Sequence, residues 1–134
     1  MKRITAFFLA VLVIVNLLVS PTLAVGNNEI QPRFTYIASI GSKLVIDDQH
    51  EIATCIGILE TYSNYELKLI CRLQRLNAGT WTTVSSWTVN VDNKRLLKVT
   101  ESISINTEYQ YRVSVLACVY DGNTLLESAS KFSS

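Results

Sequence analysis

Residues Tyr65 to Val89 read Y-E-L-K-L-I-C-R-L-Q-R-L-N-A-G-T-W-T-T-V-S-S-W-T-V. In an extended chain Tyr65, Leu67, Leu69, Cys71 and Leu73 point one way. Glu66, Lys68, Arg72 and Gln74 point the other, with Ile70 the one apolar exception. That period of two marks a strand with one buried face. Asn77-Ala78-Gly79 supplies a turn, and a second run rich in Thr, Val and Trp follows. The pair is expected to form a β-hairpin with a short loop.

Similar segments lie on either side. Phe34–Ile40 (F-T-Y-I-A-S-I) reads as a strand, broken at Gly41-Ser42 and resumed at Leu44–Ile46, like a kinked edge strand. Asp47–His50 is a turn. Glu51–Leu59 (E-I-A-T-C-I-G-I-L) is the next strand, and its facing is ambiguous: Ile52, Ile56 and Ile58 compete with Ala53, Cys55 and Leu59 for the core. Ser63-Asn64 and Val91–Lys94 are further turns. Leu97, Val99, Ile103 and Ile105 share a face with Glu101 misplaced among them, so a bulge or break is expected near Thr100. Tyr109, Tyr111, Val113, Val115, Ala117 and Val119 give the cleanest alternation in the chain. Asp121-Gly122-Asn123 turns it into a last short strand, Leu125–Phe132.

About seven short strands with regular turns predict an all-β protein: an immunoglobulin-like antiparallel β-sandwich with strands A, B, C, C′, E, F and G. A small antiparallel barrel is the alternative. Tyr109 begins the F segment, where a tyrosine corner belongs; it reads equally as a half-buried strand tyrosine.

The chain opens with Lys2 and Arg3, then an apolar run from Ile4 to Val19, then Ser20-Pro21 and the small-residue site Thr22-Leu23-Ala24. This is the order of a signal peptide, with a helical h-region and cleavage expected after Ala24. The run is short of the roughly 20 residues a spanning helix needs; an uncleaved membrane anchor is the competing reading. The expected organisation is a signal peptide over 1–24, a loose leader over 25–33 and one domain over 34–134. Cleavage leaves 134 − 24 = 110 residues, with 12 − 2 = 10 basic against 11 acidic side chains. A near-neutral balance offers nucleic acid no electrostatic support. The predicted address is secreted, with a membrane role only if the signal segment is kept.

The segments F-T-Y-I-A-S-I, A-T-C-I-G, L-Q-R-L-N-A-G-T-W-T-T-V-S-S-W, Y-Q-Y-R-V-S-V and E-S-A-S-K occupy Phe34–Ile40, Ala53–Gly57, Leu73–Trp87, Tyr109–Val115 and Glu127–Lys131. Together they resemble a DUF6147-like family of small secreted proteins from clostridia and related Gram-positive gut bacteria, a domain of unknown function. The resemblance implies an immunoglobulin- or fibronectin-like sandwich and an extracellular address, with no catalytic residues and no cofactor.

Cys55, Cys71 and Cys118 are an odd number, so at least one thiol is unpaired in a monomer. A Cys55–Cys71 bridge would link strands B and C. The usual B-to-F bridge would be Cys55–Cys118, but Cys118 falls on the face opposite Val113. Three small buried hydrophobes are the alternative, which the anaerobic source implied by the resemblance favours. No C-x-x-C is present and His50 is the only histidine, so the spacing of a zinc site is lacking. Asp47-Asp48-Gln49-His50-Glu51 reads as a solvated turn rather than a cation site. Nucleophile-elbow and phosphate-loop motifs are also lacking.

These readings leave no predicted catalytic, cofactor or metal residue. The candidate ligand contacts are Trp81 and Trp87, on a Thr- and Ser-rich strand where exposed rings could stack on a glycan or fill a pocket of an extracellular protein. One of the two is expected in the core, because Trp81, Val84 and Trp87 recur every three residues and a flat strand cannot face them one way. The other functional class is a structural protein that self-associates through an edge strand, Phe34–Ile40 or Leu125–Phe132.

Overall fold

The computed structural model describes residues 33–133. The signal segment 1–24 and nearly all of the leader lie outside the described residues. Five strands follow one another: β1 Ile37–Asp47, β2 Ile52–Asn77, β3 Thr80–Ser104, β4 Tyr111–Asp121 and β5 Thr124–Phe132. All neighbours are antiparallel, in the order β1-β2-β4-β5, with β3 also paired to β2.

The count is five rather than about seven because two expected turns do not reverse the chain. At 26 and 25 residues, β2 and β3 run straight through Ser63-Asn64 and Val91–Lys94. Typical strands are about five or six residues long, and these two bend instead of ending. Between the pairs Glu60↔Leu96 and Tyr65↔Lys94, residues 61–64 of β2 face Arg95 alone, and Asn93 takes a left-handed φ of 52°. Such unequal counts bend and twist a ladder. Each long strand therefore serves two halves of a curled sheet. The first half of β2 lies between β1 and the end of β3; its second half lies between the start of β3 and β4.

Inward facing holds one parity through the bend. Ala53, Cys55, Leu59, Thr61, Leu67, Leu69, Cys71 and Leu73 are all fully buried. The ambiguity in Glu51–Leu59 is thus resolved toward the smaller side chains, and Ile52, Ile56 and Ile58 take the outer face. The physical reason is close approach of the two halves. A Cβ on Gly57 would lie 3.1 Å from Val115 Cγ2 and 3.3 Å from Leu69 Cδ2. Gly57 is the residue that leaves room at that contact. Val113, Val115, Ala117 and Val119 of β4 complete the core, as their alternation predicted.

Several local expectations are corrected. β1 is continuous through Gly41-Ser42, and its irregularity falls between Ile37 and Ser39. The β3 ladder is regular from Leu96 to Ser104, so no bulge sits near Thr100. Glu101 pairs with Cys55 and is exposed because β3 is an edge strand there. The phenol-to-backbone bond expected of Tyr109 is made by Tyr111, whose hydroxyl donates to the Asn106 carbonyl at 3.0 Å. Tyr109 is 42% exposed, with the Arg75 guanidinium over its ring at 4.5 Å. Two residues decide this: Tyr111 stands in the ladder opposite Arg75, whereas Tyr109 precedes β4.

The hairpins follow turn chemistry. Ala78 and Gly79 have φ of 50° and 81° between the pair Asn77↔Thr80, a two-residue loop of the type that matches strand twist. Gly122, φ 58°, opens the equally short loop between Asp121 and Thr124.

The two outer edges of the curl meet through side chains. The Glu127 carboxylate of β5 accepts N–H bonds from Thr35, Tyr36 and Ile37 at 2.8, 2.9 and 2.7 Å. Lys131 Nζ donates to the Ile40 carbonyl at 3.1 Å, and Ser42 Oγ to that of Val113 at 3.2 Å. At the bend, buried Thr61 Oγ1 reaches the Ser63 and Arg95 carbonyls at 2.8 and 3.3 Å. This satisfies its polar atom without water.

Candidate binding face

A β-bulge separates the two tryptophans. Leu73 pairs with Ser85 and Gln74 with Thr83, so Val84 is an unpaired extra residue and is 41% exposed. The bulge shifts parity by one residue. Trp87, opposite Cys71, therefore packs against the core, while Trp81, opposite Leu76, sits on the outer face. Both are half-buried. The structure does not bring the two rings to one face.

What it brings to Trp81 is Arg112 of β4. The guanidinium carbon lies 4.4 Å from the Trp81 ring centroid and 4.3 Å from that of Phe132 on β5. Its Nε–H donates to Gln74 Oε1 at 2.8 Å. Gln74 and Arg112 are register partners, which places the four side chains across β3, β2, β4 and β5. Each cation–π contact contributes about 0.5–1 kcal/mol at an exposed site, so the arginine is held flat and pre-oriented. Phe132 remains 51% exposed. Sequence reasoning missed Arg112 and Phe132. A signal was present in the even positions of β4 and β5, but only the register relates them to Trp81.

The same outer face carries Lys68, Ile70, Arg72 and Gln74 along β2. Among the described residues no carboxylate pairs with Lys68, Arg72 or Arg112; the one ion pair found there is His50 with Asp47. Glu66, Asp92 and Asp121 gather at the far end, around an open hollow of about 440 Å³ with Asn64, Asn93 and Tyr120. The face is therefore polarised, basic toward the hairpin end and acidic toward the bend. Near-neutral overall charge concealed this, because period two sorts the charges by face.

The other candidates have structural roles. Asp47 closes the β1–β2 turn: Gln49 and His50 N–H donate to its Oδ1 at 3.0 and 3.2 Å, and His50 Nδ1 lies 2.7 Å from Oδ2. The His50 ring, then its N–H, hold Asp47 below the usual carboxylate range. No group of three metal-ligating side chains is found among the described residues. All three cysteines are free and buried. Burial, and then the charge of Cys71, pushes the Cys55 thiol up to about 12; burial, then Glu101, pushes Cys71 to about 11. Thiols so raised are poor nucleophiles. Cys118 pairs with Lys68 and Ser128 in outer-face register.

No family model matches the chain, and the curated proteins hold no match. Among solved structures it is similar to the E. coli curli protein CsgC, at 14% sequence identity and a TM-score of 0.42, over 70% of this chain and 97% of that one.

Proposed function

We propose that the mature chain is a secreted, non-catalytic binding module of immunoglobulin-like type, directed outward by residues 1–24 and binding an extracellular glycan or protein. The observation that carries this reading is the Trp81–Arg112–Phe132 stack. It is a rigid, half-exposed aromatic and cationic surface built across three strands, in a chain whose other polar clusters serve turns and edges. Aromatic and arginine side chains are the groups that concentrate binding energy.

Two features support the immunoglobulin-like assignment. Counted by layer, the ladder segments group as β1, first half of β2 and second half of β3, against first half of β3, second half of β2, β4 and β5. That is the A–B–E and C′–C–F–G grouping of such sandwiches, and the Tyr111 corner sits at the start of F.

The test is binding of the mature protein to a glycan array and to mucus and bacterial surface fractions, repeated with Trp81→Ala and Phe132→Ala. Binding lost in variants that keep the wild-type circular dichroism supports the reading. Binding untouched by both variants overturns it.

Self-association has one observation in its favour. One expected edge, Phe34–Ile40, is occupied in part, since Glu127 holds the Thr35–Ile37 N–H groups and Lys131 the Ile40 carbonyl, while β5 pairs only with β4 among the described residues. The β3 edge, Thr80–Ser104, pairs only with β2 among the described residues. Such an edge can accept another strand. Light scattering across a concentration series would show growth in size if it does, and a constant monomer if not.

A further inference from the structure

We infer that the ligand of this face is a linear acidic polysaccharide, lying along β2 and engaging Lys68, Arg72 and Arg112. The inference rests on the binding-module reading above and adds the chemical class.

Lys68, Arg72 and Gln74 share the outer face of β2, and Arg112 stands beside Gln74 on the next strand. At about 3.4 Å per residue, the row from Lys68 to the Gln74–Arg112 pair extends about 20 Å. Three cations with no carboxylate partner among the described residues, in a row, suit a linear chain with repeated negative charges better than one small anion.

The Arg112 environment narrows the chemistry. Two rings lie against its guanidinium and Gln74 takes its Nε–H, leaving its terminal N–H groups free among the described residues. An in-plane oxyanion such as a carboxylate or sulfate is what such an edge recognises. The half-exposed Trp81 and Phe132 add apolar surface beside the charge, as a pyranose ring flanking its own carboxylate would require.

A peptide is disfavoured on the same face. β2 and β4 are interior strands here, with their backbone groups paired on both sides. An extended peptide would find no main-chain partners there, unlike at an edge. Nucleic-acid affinity scales with the number of backbone phosphates engaged, of which three cations supply few, whereas a uronate sets its carboxylate beside a sugar ring that Trp81 and Phe132 can cover.

The experiment measures binding of the mature protein to polygalacturonate, heparin, neutral dextran and a single-stranded oligonucleotide at 50 and 200 mM salt (concentrations of roughly this order span the strongly salt-dependent range). The variants are Lys68→Gln/Arg72→Gln and Trp81→Ala. The expected result is binding to polygalacturonate or heparin and none to dextran. The double variant should lose about tenfold or more in affinity, and the slope of log affinity against log salt should flatten by up to roughly two. Binding to dextran that needs Trp81 and ignores salt overturns the acidic class but leaves the binding face standing. Equal or tighter binding of the oligonucleotide overturns the polysaccharide. Binding that ignores both variants, or no binding to any probe, overturns the inference; only the former also removes the face.

Discussion

Replacing Glu127 tests how the curled sheet is held shut. Its carboxylate is the acceptor for three successive backbone N–H groups at the start of β1, at 2.7–2.9 Å. Thr35 is exposed, so its N–H can turn to water; Tyr36 and Ile37 lie in part-buried bonds, and Ile37 is fully buried. Stranding a buried donor costs about 1–3 kcal/mol, and bonds to a charged acceptor sit at the upper end of the range. Counting two such donors and discounting for partial exposure, Glu127→Ala should cost about 2–4 kcal/mol. Glu127→Gln, which keeps one acceptor oxygen, should cost about half that. For a domain of this size, 1 kcal/mol moves Tm by about 4 °C or more. The pH dependence is the sharper test. Burial alone would raise the Glu127 pKa, but the Thr35, Ile37 and Tyr36 N–H donors outweigh it, and the folded value falls below the ordinary 4.5. A depressed folded pKa contributes stability that is present above the unfolded value and lost as pH falls through the folded one. Urea unfolding at pH 7, 5, 4 and 3 should therefore show the gap between wild type and Glu127→Gln narrowing only below about 4.5. Hydrogen exchange should quicken at the Tyr36 and Ile37 amides first. A variant within 0.5 kcal/mol of wild type at pH 7 (roughly the scatter of a neutral surface change), or a gap independent of pH, would refute the reasoning.

Three further outcomes follow from the packing. Gly57→Ala should destabilise by about 1–3 kcal/mol in chemical denaturation, because its Cβ would press on Val115 and Leu69 at 3.1 and 3.3 Å. Gly41→Ala, facing the outer surface with 3.3 Å to Ile58 Cβ, should cost less, and equal costs would count against the close approach at Gly57. Tyr111→Phe should lose about 1 kcal/mol in thermal or urea melts, whereas Tyr109→Phe should be nearly neutral, since only Tyr111 bonds the Asn106 carbonyl. Cys55 and Cys71 should resist alkylation at pH 8 in native protein and react once it is unfolded in urea, read by intact mass; prompt native labelling would contradict their raised pKa values.

The strand pattern was legible because period two is a local property. The inward residues Val113 to Val119 and Leu67 to Leu73 follow from it directly, and so do the hairpin turns at Ala78-Gly79 and Gly122, where residues tolerant of positive φ meet short loops. The seven expected strands became five because whether Ser63-Asn64 reverses the chain or merely bends it depends on what β3 does opposite. That is a pairing decision made between residues about 30 positions apart. The facing of Ile52–Leu59 was open for the same reason. Alone, the isoleucines make the larger core; the close approach of Leu69 and Val115 at Gly57 leaves the odd-numbered set inside.

The sequence by itself determined that this is an all-β chain with a near-neutral charge balance. Those are matters of composition and of neighbours one to three residues apart. Tertiary structure alone decided which face each tryptophan takes, through the extra residue at Val84. It also decided that Trp81, Gln74, Arg112 and Phe132 meet. They lie on four different strands, and only ladder register, set by the burial of the opposite face, brings them together.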